Sequence, residues 1–311
     1  MPTIALVIPY FGVWPVWIDL YLYSCEQNSE IDWYFFTDCE PKPSKKNVFF
    51  NYLSFETYCN QVSEKLEIDF KPTSAYKLCD LKVFYGFIHQ VLLSKYDFWG
   101  FGDVDVVWGN IKTFYTNQLL EKYDVFSTHA DRLSGHLAIL RNNKKYTELC
   151  FKITDWQLKL TSETNYGLDE IDFSRLIYPE SKYIYKTYSK VIRKIFNWRN
   201  AWVFYYNILP LLNHILLLQS RGLYFKEQHS TPMLSDDGLT FQHDADTWYY
   251  NEGKLTNNKT SREYIYLHFM IFKKNSFRKT YYWHEDYYHL SSNYNLSDGV
   301  IINKMGFSPD L

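Results

Sequence analysis

Residues 96–110 read YDFWGFGDVDVVWGN, an apolar and aromatic run with two aspartates, Asp103 and Asp105, in its middle. The run predicts a buried strand, in which residues two apart point to the same side and lie roughly 6.5–7 Å apart along the chain. Two carboxylates placed this way repel each other and lose hydration, and buried charges are tolerated when they are paired or bound to metal. The stretch therefore predicts a cation or a row of hydrogen-bond donors facing Asp103 and Asp105.

Outward from this strand, short apolar strands alternate with longer segments of helical spacing. The predicted strands are TIALVIPY (3–10), IDWYFFTD (31–38), DFWGFGDVDVV (97–107), DVFSTHA (124–130), HLAILRN (136–142) and REYIYLHFMIFKK (262–274). The predicted helices are WPVWIDLYLYSCEQN (14–28), SFETYCNQVSEKL (54–66), AYKLCDLKVFYGFIHQVLLSKY (75–96) and NIKTFYTNQLLEKY (110–123). This alternation predicts an α/β fold with a mostly parallel sheet and helices on both faces. Ligands of such sheets bind outside the carboxyl ends of the strands, so polar residues there are candidate site residues.

Composition narrows the class of protein. Among 311 residues, 46% are apolar, 22% are charged and the formal net charge is −2, which argues against a general nucleic-acid binder. The five cysteines form no C-x-x-C pair and are expected to be reduced cytosolic thiols. The N-terminal MPTIALVIPYFG has no basic region or cleavage site, so we expect a buried first strand rather than a signal peptide.

The composition changes sharply after Glu180. Residues 181–226 contain no acidic residue and eight lysines and arginines, with Lys182, Lys186, Lys190 and Lys194 four residues apart. A basic helix over 182–199, followed by the apolar segment 203–218, suits an anionic membrane surface. The alternative is a solvated basic face beside an ordinary core helix. The segment 203–218 is too often interrupted by polar residues and proline to be a good spanning helix, so a soluble or peripheral protein is expected.

The D-x-D pair after two helices, the opening strand IALVIPYFG, the FFTD strand and the late YLHF together resemble the GT-A glycosyltransferases. The chain as a whole is similar to an uncharacterised group of bacterial enzymes found with surface-polysaccharide synthesis. The resemblance implies a single GT-A, Rossmann-like domain. Its expected parts are a nucleotide-binding part at about 1–110, an acceptor part at about 111–180, a basic helical insertion at about 181–226, and a C-terminal part at about 227–311 that completes the metal site.

By this resemblance, Asp105 binds Mn²⁺ or Mg²⁺ directly, and Asp103 contacts the ribose of the donor or the water shell of the metal. His268 in YLHF resembles the late histidine that completes such metal sites, with Lys273 or Lys274 near the diphosphate. The alternative for His268 is a strand histidine that is satisfied inside the core. The cation would stabilise the charge that develops on the departing nucleotide diphosphate.

The resemblance also assigns the donor nucleotide. Tyr10 and Phe11 would stack on or line the base, and Asp38 would accept its imide N–H. Three further residues of one helix are candidates, with Asp80 at the ribose and Lys77 or Lys82 at phosphate. A set of salt bridges within that helix is the alternative.

An inverting transferase also needs a general base for the acceptor hydroxyl. In NYGLDEIDFSRL, Asp169 or Glu170 matches the position of that base in inverting GT-A enzymes, whereas the alternative is an acidic helix start that stabilises the helix dipole. Three residues before a predicted strand would line the sugar and the acceptor: Ser134, Gly135 and His136. His129 and Asp131 are weaker candidates.

These expectations combine into one leading function. It is a metal-dependent, inverting transfer of a hexose or galactofuranose from a nucleotide-diphosphate donor. UDP is the expected nucleotide, because GT-A enzymes commonly use it. The expected acceptor is a glycan or lipid-linked glycan at the cytoplasmic face of the cell membrane. The retaining signature H-x-x-G-x-x-K-P-W is incomplete, which favours inversion over a retaining transferase. A nucleotidyltransferase and a non-catalytic glycan-binding protein are the two competing functions.

Overall fold

The computed structural model describes residues 1–179, 221–228, 230–231, 247–260, 262–270, 283, 287–291 and 293–310. Its strands are β1 Ile4–Pro9, β2 Ile31–Thr37, β3 Val48–Tyr52, β4 Phe98–Gly102, β5 Val106–Trp108, β6 Val125–Ser127, β7 Leu137–Arg141, β8 Leu223–Phe225, β9 Thr247–Asn251, β10 Lys254–Asn257, β11 Tyr266–His268, β12 Val300–Asn303 and β13 Gly306–Pro309. Its α-helices are α1 Ile18–Gln27, α2 Phe55–Leu66, α3 Tyr85–Ile88, α4 Gln90–Leu93, α5 Ile111–Phe114, α6 Asn117–Lys122, α7 Lys144–Thr147, α8 Trp156–Thr161 and α9 Ser174–Ile177. The 3₁₀ helices are Ala75–Phe84, Leu149–Lys152 and Leu296–Asp298, and Asp169–Phe173 is a π-helix.

A seven-stranded sheet in the order β3-β2-β1-β4-β7-β6-β8 organises the molecule. Its strands pair in parallel except for β7, which is antiparallel to both β4 and β6. The prediction of an α/β fold with a mostly parallel sheet flanked by helices is confirmed. β8 lies inside the range expected for the basic insertion, yet it pairs with β6, so the end of that range belongs to this sheet.

Two apolar clusters cover the two faces of the sheet, which explains why its strands read as continuous apolar runs rather than alternating ones. In β4, a Cβ at Gly100 would meet the carbonyl oxygen of Ala138 at 2.4 Å, so glycine is required for β7 to pack this closely. Helix α2 begins after Ser54, whose hydroxyl accepts the backbone N–H of Thr57. All five cysteines are free.

Smaller sheets complete the fold beside the carboxyl end of β4. Strand β11 pairs antiparallel with β5, and a four-stranded sheet has the order β10-β9-β12-β13. A third apolar cluster packs there and includes Val107, Trp248, Leu267 and Phe269. This packing holds β5 and β11 in register, with His268 opposite Val106.

Three local predictions were wrong, and strand β3 was not predicted. The strand predicted over 97–107 ends at Gly102 and resumes at Val106, so Asp103 and Asp105 lie in the bend between β4 and β5. The helix predicted over 75–96 is a 3₁₀ helix followed by α3 and α4, and the segment is buried on most sides among the sheet and neighbouring loops. The helix predicted over 110–123 is divided into α5 and α6, because the Thr116 hydroxyl accepts the N–H of Leu119 and caps a new helix.

Several predictions concern residues outside the described ranges. They are the basic helix 182–199, the apolar segment 203–218, and Lys273 with Lys274. Within the described ranges, no helix has both the length and the apolar character that crossing a membrane requires.

Candidate active site

The bend that carries Asp103 and Asp105 is fixed by hydrogen bonds from three other parts of the fold. The backbone N–H of Asp103 donates to the carbonyl oxygen of His136 at 3.2 Å, and the indole N–H of Trp17 donates to the carbonyl oxygen of Val104 at 2.9 Å. The backbone N–H of Phe269 donates to the carbonyl oxygen of Asp105 at 3.2 Å. The loop before β7, the residue before helix α1 and the end of strand β11 therefore fix the backbone that carries both carboxylates.

His268 reaches the acidic pair through the pairing of β11 with β5. Its Nε2 atom lies 3.5 Å from the Oδ2 atom of Asp105, and its side chain is 1% exposed. Its Nδ1 atom lies 3.3 Å from the hydroxyl of Thr231. One candidate ligand atom each from Asp103, His136 and His268 lie within 4.8 Å of one another. The structure thus brings together the three residues predicted for the metal site and adds the His136 imidazole beside them.

This donor set fits a divalent cation. Asp105 offers carboxylate oxygen and His268 offers an imidazole nitrogen, a mixture that suits Mn²⁺ more than Mg²⁺, which prefers oxygen alone. The carboxylate of Asp103 is already engaged, because it pairs with the Lys82 ammonium and lies 3.0 Å from His136 Nδ1 in a hydrogen bond. The direct metal-ligand role that the resemblance gives to Asp105 stays a prediction.

Lys82 is a buried cation that joins several parts of the site. Its Nζ atom pairs with Asp103, donates to the carbonyl oxygen of Gly135 at 3.0 Å and lies 3.8 Å from Asp169 Oδ2. Although burial disfavours the ammonium, the two carboxylates raise the pKa of Lys82 above its usual range, so the side chain stays charged. The same ammonium, with the His136 hydrogen bond, lowers the pKa of Asp103 to about 2 against the opposing effect of burial.

The two candidate bases differ in their surroundings. Asp169 is 5% exposed at the start of the π-helix, and burial raises its pKa to about 6 despite Lys82. Burial also opposes ionisation of Glu170, but Arg132 and His129 lower the pKa of that carboxyl. Glu170 Oε2 lies 3.5 Å from Arg132 Nε, and Glu170 Oε1 accepts the backbone N–H of Gly135 at 3.3 Å. A base for work near neutral pH needs a raised pKa, which favours Asp169.

The loop before β7 contacts the same charged residues, while its predicted role in lining the sugar and the acceptor stays a prediction. A Cβ at Gly135 would lie 3.0 Å from Asp169 Oδ2 and 3.4 Å from Glu170 Oε1, so this glycine keeps space beside the carboxylates. The loop is held by the buried hydroxyl of Ser127, which accepts the backbone N–H groups of His129 and Ser134.

The residues predicted to bind the base make contacts inside the protein. Phe11 is buried against Phe55 and Tyr58. The carboxylate of Asp38 accepts the backbone N–H of Gly12 at 2.7 Å. Tyr10 is half-buried, its ring stacks on Trp14 with centroids 5.2 Å apart, and its hydroxyl donates to the carbonyl oxygen of Val13 at 3.1 Å. Nucleotide contacts from Tyr10, Phe11 and Asp38 stay predictions.

Lys77 and Asp80 form the ion pair that the sequence offers as the alternative to nucleotide contacts. Their atoms lie 2.8 Å apart, and the two side chains are 2% and 0% exposed. Residues i and i+3 eclipse in a 3₁₀ helix, which explains the pairing. The Asp80 carboxylate also accepts the backbone N–H groups of Tyr166 and Leu168, so the pair fixes the loop before the π-helix. A nucleotide role for either side chain stays a prediction.

Three residues of the site were not predicted from the sequence. Trp17 is one aromatic residue among many in the sequence, so nothing marked its hydrogen bond to the acidic bend. Arg132 lies inside the HADRLSG motif, but its approach to Glu170 depends on the fold. Glu227 lies 3.7 Å from His129 Nδ1, because each follows one of the paired strands β8 and β6.

A model of the DUF6625 family, described as a family of unknown function, matches residues 6–298 of the chain. No curated protein matches it. Among solved structures, the galactosyltransferase LgtC in complex with donor and acceptor sugar analogs is 11% identical, over 54% of this chain and 71% of that one, with a TM-score of 0.31. The glycosyltransferase GlyE of Streptococcus pneumoniae TIGR4 is 13% identical over 74% and 56%, with a TM-score of 0.29. Mouse xyloside xylosyltransferase 1 is 10% identical over 58% and 83%, with a TM-score of 0.31.

Proposed function

Because the chain belongs to the DUF6625 family, whose function is unknown, its activity has to come from the site itself, and we propose that it is a metal-dependent glycosyltransferase. The observation that carries the proposal is the meeting of Asp105 and His268, at 3.5 Å, with Asp103 and the buried carboxyl of Asp169 at the carboxyl end of β4. Ligands of α/β sheets bind at such strand ends. The site thus offers cation ligands and a candidate base in one cleft.

Asp105 and His268 would hold Mn²⁺ or Mg²⁺, and Asp103 would lie beside the metal ion. A divalent cation there supplies Lewis-acid stabilisation to the diphosphate of a nucleotide-sugar donor. Lys82 supplies a second, permanent positive charge, because Asp103 and Asp169 hold it in the ammonium form. The donor we propose is a UDP-sugar, carrying a hexose or a galactofuranose.

Asp169 is the general base of the proposed reaction. With a pKa of about 6 it is mostly ionised at neutral pH, yet basic enough to accept a proton from an acceptor hydroxyl. Glu170 sits beside it, held by Arg132 and by the N–H of Gly135, and it would orient the acceptor. We propose inversion, because a base in this position activates the acceptor directly. If NMR shows that the product retains the anomeric configuration of the donor, Asp169 has a role other than that of general base.

The acceptor we propose is a glycan or a lipid-linked glycan of bacterial surface-polysaccharide synthesis, met at the inner face of the cell membrane. The support is the resemblance of the sequence and the basic range 182–199, which suits an anionic surface. Co-sedimentation with liposomes tests this part. Equal binding to anionic and neutral vesicles, or binding unchanged after Lys186, Lys190 and Lys194 are replaced by glutamine, would remove the membrane role.

Thermal unfolding with a nucleotide panel, with and without Mn²⁺, tests the core of the proposal. We expect UDP to raise Tm only when Mn²⁺ is present, and this effect to vanish in Asp105→Asn. Asp69→Asn is the matched control, because Asp69 is an exposed carboxylate paired with Lys71. A response to nucleoside triphosphates alone would favour a nucleotidyltransferase. The absence of any nucleotide response, with binding to free glycans, would favour a non-catalytic glycan-binding protein.

A further inference from the structure

A second group of metal-type ligands shares His136 with the first group, Asp103, His136 and His268, and adds residues of the loop before β7 and of the π-helix. It consists of His129, His136 and Glu170, and one ligand atom from each lies within 4.8 Å of the other two. The rings of His129 and His136 have centroids 5.6 Å apart and planes at 81°, so they approach from different directions. Two imidazoles and a carboxylate are the ligand set of open zinc sites, in which a fourth position is left for water or substrate.

Both histidines have a carboxylate beside the Nδ1 atom. His136 Nδ1 lies 3.0 Å from Asp103 Oδ2, and His129 Nδ1 lies 3.7 Å from Glu227 Oε2. A carboxylate at Nδ1 favours the tautomer that carries its proton on Nδ1 and leaves the lone pair on Nε2. Metal-binding histidines are oriented in this way by outer carboxylates.

These contacts do not account for one polar atom, the Nε2 atom of His129. It is buried and has no hydrogen-bond partner among the described residues, and the His129 side chain is 13% exposed. Buried polar nitrogens are almost always satisfied, and one that is not calls for a water or an ion. Because Nδ1 faces Glu227, Nε2 is the nitrogen that remains for a ligand.

The positions of these residues follow from the strand ends. β6 and β8 are parallel neighbours, and the backbone N–H of Gln228 donates to the carbonyl oxygen of Thr128 at 3.1 Å. The residues just beyond both strands, His129 and Glu227, therefore emerge side by side. The outer carboxylate and its histidine are thus held by main-chain pairing.

A bound cation would replace the ion pair that Glu170 forms with Arg132, and the local charge favours the cation once that pair is broken. Glu170 now pairs with Arg132, whose side chain is 38% exposed and can turn to solvent. Tetrahedral zinc places its ligand atoms about 3.4 Å apart. The present donor atoms lie within 4.8 Å of one another, so a small closure brings them to that spacing. Imidazole nitrogen selects Zn²⁺ over Mg²⁺ and Mn²⁺. This group offers two imidazoles and one carboxylate, whereas Asp105 and His268 offer one of each.

We propose that His129, His136 and Glu170 form a second cation site, selective for Zn²⁺ or a similar transition-metal ion. It goes beyond the proposed transferase reaction, because it requires neither the nucleotide nor Asp105. His136 coordinates through Nε2, while Asp103 holds its Nδ1 proton. An ion bound there covers Glu170 and occupies the loop side of the cleft, where the acceptor would enter.

Titration calorimetry with Zn²⁺ alone tests the proposal on the full chain without nucleotide. The starting protein is Asp105→Asn with His268→Gln, which removes the ligands of the first position. We expect one equivalent of Zn²⁺ to remain bound in it. Adding His129→Gln is expected to weaken that binding by more than about tenfold, and Glu227→Gln by roughly tenfold through the orientation of His129. The matched control is His289→Gln, at an exposed histidine, with no change.

Loss of Zn²⁺ binding in the starting protein, or binding that is unchanged by His129→Gln, would overturn the second site. A measurement on the unaltered chain covers the case in which a variant does not fold. Anomalous diffraction at the zinc edge from Zn²⁺-soaked crystals is expected to show a peak bounded by His129, His136 and Glu170. A peak at Asp105 and His268 alone would contradict the proposal, and it would leave the transferase function untouched.

Discussion

The Nζ atom of Lys82 lies 3.8 Å from the Oδ2 atom of Asp169, and the same ammonium forms an ion pair with Asp103. A single buried cation thus joins the carboxylate beside the metal position to the candidate base. The two carboxyl groups cannot titrate independently, because each feels the charge that Lys82 carries. This coupling makes the pH dependence of the reaction a direct probe of the site.

The first prediction concerns Asp169→Asn. Loss of a positioned base lowers a rate by roughly 10²–10⁴-fold, so kcat/KM should fall within that range. In the unaltered protein, kcat/KM should fall as the pH decreases through about 6, because Asp169 becomes protonated. That acid limb should be missing from the variant. The measurement is initial rate against pH, and Asp172→Asn, at a π-helix residue paired with Lys159, is the control. If kcat/KM falls equally in the two variants, Asp169 is not the base.

The second prediction concerns Lys82→Met. Without the ammonium, the pKa of Asp103 and the pKa of Asp169 both rise, so the acid limb of kcat/KM should move to higher pH. Removing one member of a buried ion pair costs about 3–5 kcal/mol of unfolding free energy. Rate profiles against pH and denaturant unfolding measure the two effects separately. An acid limb that stays in place would mean that Lys82 does not act on Asp169.

The third prediction separates a structural role from a nucleotide role for Lys77 and Asp80. Both side chains are buried and paired with each other, so Lys77→Met should lower the unfolding free energy by about 3–5 kcal/mol. The affinity for UDP with Mn²⁺ should not change at temperatures where the variant is folded. Denaturant unfolding and calorimetry provide the two readings. A stable variant that binds UDP much more weakly would support the nucleotide contact instead.

The fourth prediction concerns Gly135→Ala. The added methyl group would lie 3.0 Å from Asp169 Oδ2, so that carboxylate has to shift by a few tenths of an ångström. Misplacement of this size should lower kcat roughly tenfold with little change in Tm. Gly109→Ala is the contrasting variant, because its Cβ would lie 2.1 Å from the carbonyl oxygen of Tyr264 and should lower Tm through overpacking. A Gly135→Ala protein with full activity would show that the cleft tolerates this shift.

The sheet could be predicted because its strands are long apolar runs bounded by polar residues. β1, β2, β4 and β7 all carry this pattern, and the amphipathic spacing of α1 and α2 marks the helices between them. β3 escaped prediction because VFFNY is short and follows a segment rich in lysine and proline. The break between β4 and β5 escaped it because the apolar pattern continues through Val104, whose carbonyl is held by Trp17.

The site was less predictable than the sheet, for a physical reason. The resemblance of YLHF to a late metal-binding histidine predicts that His268 and Asp105 belong to one site, and strand pairing brings them to 3.5 Å. Contacts that depend on the direction of a side chain could not be predicted from the sequence. The pairing of Lys82 with Asp103 requires the 3₁₀ twist of Ala75–Phe84, and an α-helix over that segment would give the side chains other directions. Phe11 is predicted to stack on or line the base, and in the fold it packs inward against Phe55 and Tyr58.

The pairing of β11 with β5 also fixes when the cleft is completed during synthesis. By the time residue 225 has left the ribosome, every strand of the seven-stranded sheet has been made. The imidazole opposite Asp105 belongs to β11 and emerges later. A nascent chain can therefore form its main sheet before His268 joins Asp105, so the proposed cation position is complete only after β11 has emerged.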